Sequence, residues 1–484
     1  MRKLSYFYYI PVLLLASACT KNVDQLDNNP KAAITVPAAS VFLAGEKNLS
    51  DNTTSTGGGL APFRNFAQTW TECTYITEAR YILTAYDAPD NWWAYLYGAV
   101  NQAGVLSNFY NAKTLFPASA ASSDILKNDL IITDIMEIYA YYLLVNTYGN
   151  IPYTQAESRS IPFPKYDDAK TVYYDLLTRL DSCIADINTS GTAMGKSDVI
   201  YAGNPAQWKK FAATLKLKMA MLIADSDPST AGTKAQEAVT AGVFSSNADN
   251  ALFPYDGSSV GNSNPIWQAA INSGRHDNCP ASTLVNVMVS WNDPRLPLYF
   301  TKAPDSTYKG GVPGTGNSYP TLSTFSNQVL APTLPGDLLD YAETEFLLAE
   351  AVERGFNVGG TAEQHYDNAV TASIEYWGGA AADAGTYLAQ PTVAYSTAAG
   401  DYKQKIGYQK WIALWNRGWD AWTEIRRLGS PNINVIDPPV GAITPLPLRF
   451  WYPLTEQSAN PSNYAAAVGA MGPDQVTTKL FWMP

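Results

Sequence analysis

The run Leu338 to Trp377, LLDYAETEFLLAEAVERGFNVGGTAEQHYDNAVTASIEYW, constrains the fold more than any other stretch. On a helix, Leu338, Ala342, Phe346, Ala349, Val352 and Phe356 fall in one stripe at steps of three and four. Leu347, Leu348 and Ala351 add a second apolar face, so this helix expects cover on both sides. Glu343, Glu345 and Glu350 are then expected along an exposed edge. Gly355 can end the helix in the left-handed conformation. Thr361 with Gln364 three residues on has the capping-box pattern and opens a second helix, which carries Tyr366, Val370, Ile374 and Trp377 on one face. Two amphipathic helices on so short a link must lie antiparallel. Ala362, Tyr366 and Ala369 have the spacing of the second helix of a tetratricopeptide repeat.

The same pattern recurs along the chain. Val36 to Leu49 is expected to be a helix and Ser50 to Gly59 a loop. Phe63 to Ala85 is aromatic and fits either helix or irregular structure. Asp90 caps an expected helix from Asn91 to Phe109, with Trp93, Tyr97, Val100 and Gly104 in one stripe, and a long helix from Ser123 or Asp124 to Tyr148 completes a hairpin. A second hairpin is expected from Asp168–Ile187 and from a helix opening at Pro205 and running to about Asp225. From Ser229 to Gly336, turn formers dominate and helices are expected to be short; long irregular insertions in helical bodies are often functional. The hairpin at 338–377 is the third. Lys403 to Leu414 and Arg417 to Leu428 form a fourth, with Trp411, Trp415, Trp419 and Trp422 on one face, a pattern that suits core packing better than a cofactor box.

The first residues read as a leader: Arg2 and Lys3, then an apolar core from Tyr6 to Ala18 that is too short for an ordinary membrane span. Small residues lead directly into Cys19, as in a bacterial lipobox. The expectation is a signal peptide over 1–18, a lipid-anchored tether over 19–35 with Cys19 as the lipidated residue, and a single α-helical domain over 36–484. The net charge of −11, or −13 once Arg2 and Lys3 are removed, and the lack of any basic block argue against nucleic acid or an anionic lipid surface as partner. Cys73, Cys183 and Cys279 remain; an odd number allows at most one internal bridge, and without a CxxC they read mostly as buried thiols.

Catalytic and metal motifs are missing from the sequence. His276 and His365 are not spaced as a metal pair, and there is no HExxH, GxSxG or Walker-type loop. Asp225-Ser226-Asp227 begins like a calcium loop, but Pro228 follows. No cofactor, metal or catalytic residue is expected. Spacing alone leaves a glycosidase-type carboxylate pair open. The 31 Tyr and 13 Trp serve core packing, and they also suit surfaces that bind sugars or peptides through amphipathic rings.

Several stretches, in order along the chain, resemble the SusD/RagB-type outer-membrane lipoproteins. They are Leu13–Cys19, TYGNIPYTQA (Thr147–Ala156), KYDDAKTVYYDLLTRLD (Lys165–Asp181), WKKFAATLKLKMA (Trp208–Ala220), NDPRLPLYF (Asn292–Phe300), YAETEFLLAEAVERG (Tyr341–Gly355), QKWIALW (Gln409–Trp415) and RFWYPLTEQSANPSNYAAA (Arg449–Ala467). The resemblance implies an all-α fold, a tetratricopeptide-like right-handed superhelix of about four helical hairpins with a loop-rich ligand face. It implies a lid on a SusC-type TonB-dependent β-barrel transporter, capturing oligosaccharide, or peptide in some members, at the exterior of the outer membrane, without covalent chemistry. Acidic residues after Cys19 are sparse, only Asp24 and Asp27, so the surface-export pattern of many relatives is weaker here.

Sugars present flat apolar faces to rings and hydroxyls to polar side chains. Candidate ligand residues are therefore Trp70, Tyr75, Tyr81 and Trp92 in aromatic, poorly periodic sequence near the first hairpin, and Trp267, Arg275, His276, Asp277, Asn278 and Tyr308 in the insertion. Each ring also has a core-packing reading. Arg275-His276-Asp277-Asn278 is harder to bury, because four polar groups would all need partners, though a structural turn would also accommodate it.

Overall fold

Side chains cap most of the major helices, and those caps decide where the sequence periodicity becomes structure. The computed structural model describes residues 36–57, 61–99, 102–119, 122–158, 160–433 and 445–483. The leader, Cys19, the tether to residue 35, and Val100 lie outside the described residues.

Helix α1 is Ala38–Thr54, starting two residues later and ending five residues later than the sequence pattern indicates. Its polar last turn is held because Ser50 Oγ bonds Tyr255 Oη at 2.9 Å and Thr53 Oγ1 donates back to Leu49 O. A short α2 (Phe63–Phe66), strand β1 (Trp70–Glu72) and α3 (Ala88–Tyr97) follow. The single helix expected over 91–109 is broken by a tiny hairpin, β2 (Gly98–Ala99) and β3 (Gln102–Ala103). Gly98 sits at φ +124°, and a Cβ on Gly104 would lie 2.3 Å from Gly98 N, so the two glycines make a close backbone crossing rather than a helical stripe. The first hairpin is therefore α4 (Val105–Ser119) with α5 (Ser123–Tyr148).

Next come α6 (Ala169–Asp186), capped by Asp168, and α7 (Pro205–Leu222), capped by Asn204. The insertion opens with a regular helix, α8 (Pro228–Ala241), which packs back along α7. Its buried face is only Ala231, Ala235 and Ala238, too weak in apolar contrast to be read from sequence. Asp227 caps α8 and Asp225 pairs with Arg354 and Lys403, so the calcium-like run is structural. Strands β4 (Ala251–Phe253) and β5 (Asn278–Pro280), helix α9 (Ser282–Ser290) and strand β6 (Gly336–Leu339) complete the region. β1 pairs antiparallel with β5, and β4 with β6.

The third hairpin is α10 (Tyr341–Glu353) and α11 (Ala362–Tyr376). Leu338 lies on β6, not on the helix, because Asp340 Oδ1 accepts from Glu343 N at 2.6 Å and starts α10 there. Gly355 does take the left-handed conformation, φ +76°, and Thr361 Oγ1 accepts from Gln364 N. Then follow α12 (Ala381–Leu388), α13 (Tyr402–Ala413), α14 (Gly418–Leu428) and α15 (Pro461–Met471). The four Trp of the fourth hairpin are all buried: Trp411, Trp419 and Trp422 donate to Ala67 O, Thr147 Oγ1 and Pro447 O, and Trp415 stacks on Tyr299.

Glu343, Glu345 and Glu350 are not on an exposed edge; all three are buried. Glu343 meets Lys218 of α7 and Arg417, Glu350 meets Arg427 of α14, and Glu345 bonds His365 Nδ1 at 2.7 Å. Lys410, Glu424 and Asp420 join the same network. Buried charges persist only when paired and hydrogen-bonded, and here the partners come from α7, α10, α11, α13 and α14.

Candidate functional site

A cleft of about 920 Å³ lies where the aromatic segment 70–95 meets the insertion. The β1–β5 ladder brings them together. Glu72 stands opposite Asn278, and Cys73 N donates to Asp277 O at 2.6 Å. A second loop laces on from the other side: Arg80 Nε donates to Gly314 O at 2.8 Å and Asn317 Nδ2 to Glu72 O at 3.1 Å.

Of the ten candidate ligand residues, Trp70, Tyr75, Arg275, Asp277 and Asn278 line this cleft. Tyr75 is 56 % exposed, with φ +61°, and meets Tyr86 edge-on. The Arg275 guanidinium lies over the Tyr75 ring and pairs with Asp277. His276 is exposed and stacks on Tyr319 at 4.3 Å with an interplanar angle of 9°, and Tyr319 lines the cleft. Trp70 is buried at the cleft base, its ring 4.1 Å from that of Phe325 and tilted 32° to it, and under Arg64.

The other four are displaced from the site. Trp92 is fully buried against Phe63, because α3 turns that face into the core. Tyr81 is buried, its hydroxyl accepting from Gln68 Nε2, and burial pushes it up to about 12. Trp267 is half-buried, and its neighbours Ile266 and Gln268 face the cleft in its place. Tyr308 packs on the core with Lys302 over its ring.

Sequence reasoning missed Glu72, Glu78, Tyr86, Asn91, Tyr95, Gln268, Asn272, Tyr319 and Phe325, all of which line the cleft. Two local features mark the place. Among the described residues, four of the seven non-glycine positions with positive φ (Gln68, Tyr75, Tyr81 and Asp87) fall in this one segment. Such backbone states are sparsely populated and persist where the surroundings over-determine them. Gln268–Asn272, one rim of the cleft, is a π-helical turn, a form that concentrates at functional sites.

The two carboxyls in the wall are both held above the usual carboxylate range. Burial, then the neighbouring Glu78, pushes Glu72 up to about 9; burial also raises Glu78. Glu72 accepts from Asn65 Nδ2 and Ala79 N, and Glu78 from Thr77 Oγ1. The cleft presents ring faces, one exposed cation–carboxylate pair and amide groups.

A helical-repeat scaffold carrying a loop-built aromatic cleft defines a binding protein of the tetratricopeptide-like class. The chain belongs to the SusD-like family: the family model described as "Starch-binding associating with outer membrane" matches residues 28–453. Among solved structures, a chitin-binding protein is similar over 92 % of this chain and 99 % of its own, at 26 % identity and TM-score 0.79. A SusD homolog from Bacteroides uniformis covers 93 % and 100 % at 25 % identity and TM-score 0.78. A chitin-binding SusD homolog from Flavobacterium johnsoniae covers 91 % and 98 % at 25 % identity and TM-score 0.75. No curated protein matches the sequence.

Proposed function

We propose that this protein is a lipid-anchored outer-membrane nutrient-binding protein that captures oligosaccharide in the 920 Å³ cleft and passes it to a SusC-type TonB-dependent transporter. The observation that carries the reading is the cleft's lining: Tyr75, Tyr86, Tyr95 and Tyr319 surround a rim of Asn91, Gln268, Asn272 and Asn278. Rings take the flat sugar faces, while amides exchange hydrogen bonds with hydroxyl or acetamido groups. The chitin-binding relatives make N-acetylglucosamine oligomers the first ligands to try. Cys19 supplies the anchor and the helical back the barrel contact.

Calorimetric titration with chitin, starch and peptide oligomers tests the ligand class. Saturable glycan binding that Tyr75→Ala and Tyr86→Ala weaken is the expected result; binding of peptides alone would replace oligosaccharide with peptide. Cys19→Ala is expected to release the protein from the membrane fraction, and unchanged retention would remove the anchor from the reading. Co-purification of a large β-barrel in mild detergent tests the transporter.

A further inference from the structure

We propose that Cys73 and Cys279 form a disulfide that fastens the two halves of the cleft wall. Their sulfurs lie 2.9 Å apart, although 206 residues separate them in sequence. Cys73 directly follows β1, and Cys279 is the middle residue of β5. Both are buried and both are thiols in this structure.

The ladder that joins these segments is slight. It has the register pairs Trp70 with Pro280, Thr71 with Cys279 and Glu72 with Asn278, and Pro280 has no N–H to give. A two-stranded ladder of this length is marginal alone. It nevertheless has to hold the turn bearing Arg275, His276, Asp277 and Asn278 against Tyr75. A covalent link at the pair's end supplies what the backbone cannot. The sulfurs are closely enclosed: a Cβ on Gly311 would sit 2.7 Å from Cys279 Sγ, so that glycine leaves the room they occupy. Cys183 lies on α6 with its Sγ against Asp134.

The oxidation proceeds by exchange with an external disulfide, such as that of a dithiol oxidoreductase of the cell envelope. Cys73 is the less buried of the two, at 9 % against 0 %, and contact with Cys279 holds its thiol below the ordinary range. Its thiolate attacks one external sulfur, and the other leaves as a thiolate. Cys279 then gives up its proton and attacks the Cys73 sulfur, expelling the second external thiolate. The two cysteines lose two electrons, the external disulfide gains them, and the two protons finish on its thiols.

Holding the wall rests on the cleft being the ligand site, and forming the bridge rests on export. The test uses the full chain isolated from cells and trapped with iodoacetamide. After unfolding without reductant, Cys183 should be alkylated while the Cys73 and Cys279 peptides run as one linked species that reductant splits. Alkylation of Cys73 and Cys279 as complete as that of Cys183, without reductant, overturns the bridge. Hydrogen exchange should then speed up on reduction at residues 72–79 and 275–279, with α10 unchanged; equal rates overturn the wall-holding role. Neither readout needs ligand, so a chain that carries the bridge but binds no glycan counts against the cleft reading alone.

Discussion

Arg427 grips Glu350 with both terminal nitrogens, Nη1 on Oε1 and Nη2 on Oε2, each at 2.5 Å and across 77 residues of sequence. The same guanidinium also holds Glu424 on its own helix. One fork thus pins α10, the best-defined helix in the sequence, to α14 from the far end of the chain. Removing one partner of a buried pair leaves a desolvated charge behind. Glu350→Ala should therefore cost about 3–5 kcal/mol in a urea melt. Glu363→Ala, on the exposed face of α11 in the same hairpin, should stay within about 0.5 kcal/mol.

Glu424 ties that network to acid stability. Burial pushes its carboxyl up, but Arg427 and Lys410 outweigh burial and bring it down to about 2. A depressed carboxyl stabilises the fold fully above its unfolded value, 4.5, and the contribution disappears as pH falls through about 2. The span corresponds to roughly 3 kcal/mol. Glu424→Gln should lower stability at pH 7 and flatten its pH dependence between pH 5 and pH 2, followed by thermal melts across that range.

The cleft carboxyls work in the opposite direction. Glu72, raised to about 9, binds a proton in the fold that the unfolded chain releases near 4.5, so its contribution falls as pH rises from about 4.5 towards 9. Glu78→Gln removes the neighbouring carboxyl and offers Glu72 a donor. Stability should rise by about 1 kcal/mol at pH 8 and change little at pH 4. A drop at pH 8 would show that Glu78 supports the wall by a contact that outweighs its charge.

Tyr75 and Trp92 should separate under mutation. Tyr75 is exposed at the cleft, so Tyr75→Ala should weaken glycan binding by about 3- to 10-fold with the melting temperature nearly unchanged. Trp92 is fully buried outside the cleft, so Trp92→Ala should destabilise by about 3–5 kcal/mol. Calorimetry and denaturant melts on both variants distinguish these outcomes.

How much of this was legible in the sequence differs from residue to residue. The hairpin at 338–377 was readable because helix periodicity, Thr361 and Gly355 are all local. The placing of its carboxylates was not: Glu343 and Glu350 have the spacing of a solvated edge, and only Lys218, Arg417 and Arg427 from other helices reverse that. The candidate site divided the same way. The aromatic segment and the insertion could be singled out separately, and Tyr75, Arg275, Asp277 and Asn278 do meet. Trp92 and Tyr81 look equivalent to Tyr75 in sequence but face inward.

The sequence alone determined the all-α scaffold and its family, because periodicity, caps and motif order are properties of neighbouring residues. Only the tertiary structure decided which rings form a wall, which carboxylates are buried, and that Cys73 lies beside Cys279. These depend on pairings between distant parts of the chain, 77 residues apart for Glu350 and Arg427 and 206 for Cys73 and Cys279, and no local pattern of side chains encodes them.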